Sequence, residues 1–164
     1  MKILIGYSMR SGSTLLQHIL DQHSKLCAYS DVTSFLVIAK LAFGIDCGSQ
    51  HICVKPMDLF YLKRQRRIYR HFDKFIWLAR DPRDSYLSAV ESGYAYLFWP
   101  RGTKEAGIDI GLLKRWKRVY AQYFADRRRW YLLRYEDLVQ EPDRTLAGLF
   151  NYLELPHESL LPFG

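Results

Sequence analysis

Cysteine is scarce: the 164 residues include three, Cys27, Cys47 and Cys53. None forms a CxxC pair, and three are too few for a disulfide-stapled secreted scaffold. They read as buried thiols in a reducing compartment, with the cytoplasm as the expected location. Long apolar runs are missing as well. KILIG, at the N-terminal end, is too short for a signal-peptide core, and no run approaches the roughly 20 residues of a membrane helix. Low-complexity tracts and fixed-period repeats are absent, and the 10 Gly and 6 Pro are dispersed rather than gathered into a linker. Metal-ligand spacing is lacking too, since Cys47 with His51 would need further ligands that no nearby cluster supplies.

Acidic residues are in deficit, 17 against 24 Lys and Arg, for a formal charge of +7. That excess favours encounters with anions without naming one. Its densest part is LKRQRRIYRHFDK, residues 62 to 74, which reads as a solvated helix face or an attractor of acidic substrates. Nucleic-acid binding is a rival reading, but no nucleic-acid motif accompanies the charge. Apolar residues make up 49% of the chain and aromatics 15%. A chain of this length and composition can bury roughly 70% of its unfolded surface in one domain.

Four apolar runs read as strands: KILIGY (2 to 7), HICVKP (51 to 56), KFIWLAR (74 to 80) and WYLLRY (130 to 135). Helical spacing follows the first, in Leu15, Leu16, Ile19 and Leu20. It recurs from Val32 to Ala42, from Leu59 to Arg70, after Pro82, from Leu112 to Tyr123, and from Leu146 to Leu153. Gly93 to Gly111 reads as a long loop or lid. Strands alternating with helices predict an α/β fold, a parallel sheet covered on both faces in three layers. Ligands of such sheets gather beyond the carboxyl ends of the strands, where Tyr7 to Thr14, Lys55, Arg80 and Tyr135 emerge.

YSMRSGSTLL joins the first strand to the first helix. Gly12 permits close backbone approach, Ser13 and Thr14 bring hydroxyls to the helix start, and Arg10 adds a guanidinium, so the turn is a candidate anion site. An ordinary capped turn is the competing reading. A P-loop kinase would need GxxxxGK[ST]. Here five residues separate Gly6 from Gly12 and Ser13 stands where the lysine belongs, so a kinase or other nucleotide-phosphate enzyme is only an alternative. RSGST also lacks the GxSxG elbow of an acyl-transfer serine.

SMRSGSTLL resembles the 5′-phosphosulfate loop of sulfotransferases that use 3′-phosphoadenosine 5′-phosphosulfate (PAPS), most closely in the style of the carbohydrate and tyrosyl-protein branches. LARDPRDSYLSAV, residues 78 to 90, is similar to the 3′-phosphate segment of that family, with Arg80 and Ser88 at its arginine and serine positions. LLRYEDLVQEPDRTLAGLFNYLEL, residues 132 to 155, resembles its late strand, YEDL turn and closing helix. The three segments span most of the chain in the family's order.

The resemblance implies a P-loop-like sulfotransferase fold in one domain, residues 1 to 164. It implies PAPS as donor, PAP as product, a hydroxyl-bearing acceptor and no metal. Arg10, Ser11, Gly12, Ser13 and Thr14 would meet the 5′ end, Arg80 and Ser88 the 3′-phosphate, and Tyr135 the cofactor side. Arg10 and Lys55 would assist the chemistry, although KPM lacks the acid that related enzymes carry beside the lysine. Asp31 stands roughly where relatives place a glutamate base. It is shorter by one methylene, and capping of the Val32 to Ala42 helix is its competing role. The charge excess favours an anionic carbohydrate or peptide acceptor. A non-catalytic module binding PAP or nucleic acid is the alternative of a different class. Family members commonly continue beyond the closing helix, so ending at HESLLPFG implies a pared-down domain, cover from Gly93 to Gly111 or a partner, or an incomplete chain.

Overall fold

Alternate residues of KILIGY turn to opposite sides of an extended chain, and Ile3, Leu4 and Ile5 are all fully buried. A strand covered on both faces belongs in the middle of a sheet, and that is where β1 (Lys2–Tyr7) lies. The structure, a computed structural model, describes residues 1–32, 51–56, 65–93 and 104–160. Its main sheet is five-stranded, in the order β2-β3-β1-β4-β7, and every pairing in it is parallel. β1 pairs with β3 (His51–Pro56) and β4 (Lys74–Ala79), and outside these lie β2 (Leu26–Val32) and β7 (Tyr131–Arg134). A small antiparallel pair, β5 (Lys104–Glu105) and β6 (Ile108–Asp109), stands apart.

One face of the sheet carries Ile3, Ile5, Ile76, Leu78 and Leu133. Against it pack Leu16, Ile19 and Leu20 of α1 (Ser13–Asp21), Leu138 of α4 (Tyr135–Gln140), and Leu146, Leu149, Phe150 and Leu153 of α5 (Pro142–Leu153). The other face carries Leu4, Val54, Phe75 and Trp77, covered by Val119 and Tyr120 of α3 (Ile110–Ala125), by Trp130, and by the 3-10 turn Gln65–His71. Each fully buried aliphatic side chain contributes about 1.5–3 kcal/mol, so these two layers supply the main driving force. The fold is therefore the expected three-layer α/β arrangement.

Several elements differ from the sequence expectations. β2 is a fifth strand where none was expected. Leu26 and Ala28 are buried while Cys27 is only partly so, the weak pattern of a strand at the edge of the described sheet. The helix expected from Val32 does not begin there, because Val32 is the last residue of β2; the rest of that stretch, 33–42, lies outside the described residues. Of the expected helix from Leu59 to Arg70, the described part is the 3-10 turn. The expected loop from Gly93 to Gly111 contains the β5–β6 pair and the start of α3, whose first turn Asp109 caps by accepting from Leu112 N at 3.1 Å. Residues 94–103 of that loop lie outside the described set, as does Cys47. Cys53 is a buried thiol, and burial pushes its pKa far up.

The strand order sets the location of a site. From β1 the chain crosses toward β2 and β3, and from β4 it crosses away to β7. These departures in opposite directions open a crevice at the carboxyl ends of β1 and β4.

Candidate active site

Residues Ser8 to Gly12 turn the chain from β1 into α1. Ser11 Oγ donates to Ser8 O at 2.7 Å and closes the turn on itself. Arg10 and Gly12 both take left-handed backbone angles, φ 59° and 87°. Gly12 is the N-cap of α1, and among the described residues no side-chain cap hydrogen bond closes this helix end. The ordinary capped turn is therefore not what forms. First-turn N–H groups of a helix have no intrahelical acceptor and Gly12 supplies no side-chain one, an arrangement that suits anion binding at a helix start.

Side chains from three further elements converge on this turn. Lys55, at the carboxyl end of β3, is 2% exposed, which excludes a solvated strand-end charge. Its Nζ donates to Thr14 Oγ1 at 3.1 Å and sits 5.6 Å from the centre of the Tyr7 ring. Arg10 Nε donates to Ser88 Oγ at 2.9 Å. Ser88 lies on α2 (Pro82–Ser92), the helix that Pro82 opens after β4. Arg80, one residue beyond β4, donates from Nη1 to Arg10 O at 3.1 Å and lays its guanidinium 4.5 Å from the centre of the Tyr135 ring.

Asp81 and Asp84 are the carboxylates beside Arg80 in sequence. Asp81 pairs with Arg83, Oδ2 to Nη2 at 2.6 Å, and accepts from Arg83 N as the N-cap of α2. The Arg83 guanidinium and backbone N–H hold the Asp81 carboxyl at about 2, well below the ordinary carboxylate value. Among the described residues no carboxylate pairs with Arg80, and its buried Nε has no hydrogen-bond partner.

Asp31 lies one strand beyond Lys55. Ser30 pairs with Lys55 and Val32 with Pro56, so the ladder shifts register at Asp31. Of the residues expected at the site, Arg10, Arg80, Ser88 and Tyr135 form one contact network and Lys55 with Thr14 a second, both at the turn that carries Ser11, Gly12 and Ser13. Asp31 is at the same end of the sheet. Sequence reasoning passed over Glu136, whose Oε1 accepts from Asp81 N at 2.7 Å. The signal available was its place beside Tyr135 in RYEDL.

The sulfotransferase family matches residues 34–159, most of the chain, and the chain belongs to that family. A sulfotransferase domain from the curacin biosynthetic pathway has a similar fold, with a TM-score of 0.68 at 19% identity over 95% of this chain and 74% of the other. A second sulfotransferase domain, from the Synechococcus PCC 7002 olefin synthase, gives 0.63 at 17% identity over 96% and 74%. Mouse sulfotransferase SULT7A1, solved in complex with PAP, gives 0.64 at 12% identity; the match covers 96% of this chain and 60% of the mouse protein. At these identities the likeness is one of fold. Comparison with curated proteins gives no match. No helix among the described residues is long and apolar enough to cross a membrane.

Proposed function

We propose that the chain transfers a sulfuryl group from PAPS to an acceptor hydroxyl, releasing PAP. The observation that carries this reading is the junction of Arg10, Arg80 and Ser88: the loop expected at the 5′ end of the donor and the segment expected at its 3′-phosphate are in direct hydrogen-bond contact. The residues present suit a doubly anionic ligand. The first turn of α1 lacks a side-chain cap, and Arg80 has a buried Nε without a partner among the described residues. PAP bound to the mouse neighbour supports the choice of nucleotide.

In this reading PAPS supplies the activated sulfuryl group. Arg10 and the backbone N–H groups of residues 12 to 14 hold the phosphosulfate oxygens, and Arg80 with Ser88 holds the 3′-phosphate. Lys55, aimed at Thr14 in the same turn, stabilises the charge that collects on the departing phosphate oxygen. Asp31 takes the acceptor's proton as the acceptor oxygen bonds to sulfur and the old sulfur–oxygen bond breaks. The charge excess of +7 favours an anionic carbohydrate or peptide acceptor.

Calorimetric titration with PAP and AMP tests the nucleotide assignment. The parent is expected to prefer PAP, and Arg80→Ala to lose most of that preference; equal affinity of the parent for both nucleotides would remove the 3′-phosphate site. Labelled PAPS with neutral and anionic acceptors at two salt concentrations tests the acceptor. Salt-independent use of neutral phenols alone would reject the anionic class.

A further inference from the structure

We propose that Tyr135 and Glu136, the first two residues of α4, are a positioning pair that sets where Arg80 presents its guanidinium, and so determine selectivity for a nucleotide bearing a 3′-phosphate. The inference rests on the nucleotide reading above and adds to it two residues that act through Arg80.

Register is the starting point. The last paired residues of β4 and β7 are Ala79 and Arg134. Beyond them the ladder ends, yet the next two residues on each side still meet in order. The Arg80 guanidinium lies over the Tyr135 ring at 4.5 Å, and Asp81 N donates to Glu136 Oε1 at 2.7 Å. Side chains of α4 thus continue the alignment of two strands into the turn that carries Arg80.

Each contact has a separate physical task. An arginine side chain can sample many rotamers, and a ring under its guanidinium restricts them while attracting the cation. The same ring is wedged against the loop after β1. A Cβ on Gly12 would collide with a Tyr135 ring carbon, so the loop backs the ring that lies under Arg80, while Arg80 itself reaches Arg10 O of the same loop. Glu136 controls the backbone. The Asp81 carboxylate is occupied by Arg83, and the Asp81 N–H finds its acceptor in Glu136. Removing that acceptor frees the peptide adjoining Arg80.

A direct contact of Tyr135 with bound nucleotide through its hydroxyl would affect PAP and AMP alike. Positioning of Arg80 affects only the ligand that has a 3′-phosphate. The experiment is calorimetric titration of PAP and AMP against the parent, Glu136→Ala, Glu136→Gln, Tyr135→Leu and Tyr135→Phe, with thermal unfolding of each. Glu136→Ala and Tyr135→Leu are expected to lower the PAP-to-AMP affinity ratio by about fivefold or more, with AMP affinity held. Glu136→Gln, which keeps an acceptor oxygen, and Tyr135→Phe, which keeps the ring, are expected to preserve the ratio. A PAP-selective parent whose ratio survives in both Glu136→Ala and Tyr135→Leu overturns the inference and leaves the nucleotide reading intact. Equal failure of Glu136→Gln and Glu136→Ala also overturns the positioning role of Glu136. If Glu136→Ala does not fold, the Tyr135→Leu and Tyr135→Phe pair decides on the same ratio. A parent that binds PAP and AMP equally overturns both the nucleotide reading and the inference.

Discussion

Arg10 and Ser88, 78 residues apart, are joined by a hydrogen bond of 2.9 Å from Nε to Oγ. The bond ties the turn after β1 to the second turn of α2. Ser88→Ala removes one hydroxyl, the acceptor for Arg10 and the proposed donor to the 3′-phosphate, from a site that Arg80 continues to hold. PAP affinity is expected to fall about fivefold with AMP affinity nearly unchanged, read by calorimetric titration. An equal loss for both nucleotides would place Ser88 outside the 3′-phosphate site.

Lys55 and Asp31 are proposed to act in the transfer step rather than in binding. Lys55→Met keeps an apolar stem in a buried position, so folding and PAP affinity are expected to persist while acceptor-saturated turnover drops by at least about tenfold. Asp31→Asn preserves shape and removes the base, with a turnover loss of about 10²-fold expected. Initial rates beside PAP titration and thermal unfolding check both. Near-parental turnover in either variant would end that residue's assignment.

Gly12 and Gly93 both have positive φ, 87° and 64°, but their surroundings differ. A Cβ at Gly93 meets nothing within 4 Å among the described residues, whereas at Gly12 it meets the Tyr135 ring. Gly93→Ala is expected to cost only the backbone term, about 1 kcal/mol. Gly12→Ala adds displacement of Tyr135 to that cost and is expected to lose PAP binding as well. Denaturant unfolding and titration of the two variants measure the difference.

The Asp81 carboxyl, at about 2 in the folded protein, lies below its ordinary unfolded value of about 3.9. A depressed folded value gives stability that is fully present above the unfolded value and lost as pH falls toward the folded one. Glu154, beside Lys74, and Glu158, beside Ser24, shift in the same direction. The thermal midpoint is therefore expected to fall as pH drops from about 5 to about 2. Asp81→Asn retains an N-cap and should flatten this fall. An unchanged slope in that variant would remove Asp81 from the acid response.

Much of the architecture was legible because its causes are local. β1, β3, β4 and β7 are short apolar runs, and the first helix repeats leucine and isoleucine at its own period. The turn between them announces itself through Arg10, Gly12 and the paired hydroxyls. β2 escaped because an edge strand needs apolar residues on fewer positions, and its polar end, Ser30 and Asp31, resembles a helix start. The contacts across the site were not legible from local pattern. Arg10 meets Ser88, and Lys55 meets Thr14, because β1 inserts between β3 and β4, an order that depends on packing both faces of the sheet. Family motifs implied that these residues serve one site without saying which touch. The sequence by itself determined four of the five strands of the main sheet, the basic glycine-bearing turn and the charge excess, each a property of neighbouring residues. Tertiary structure alone decided that Tyr135 rests between Gly12 and Arg80, since that contact exists only where three parallel strands end side by side.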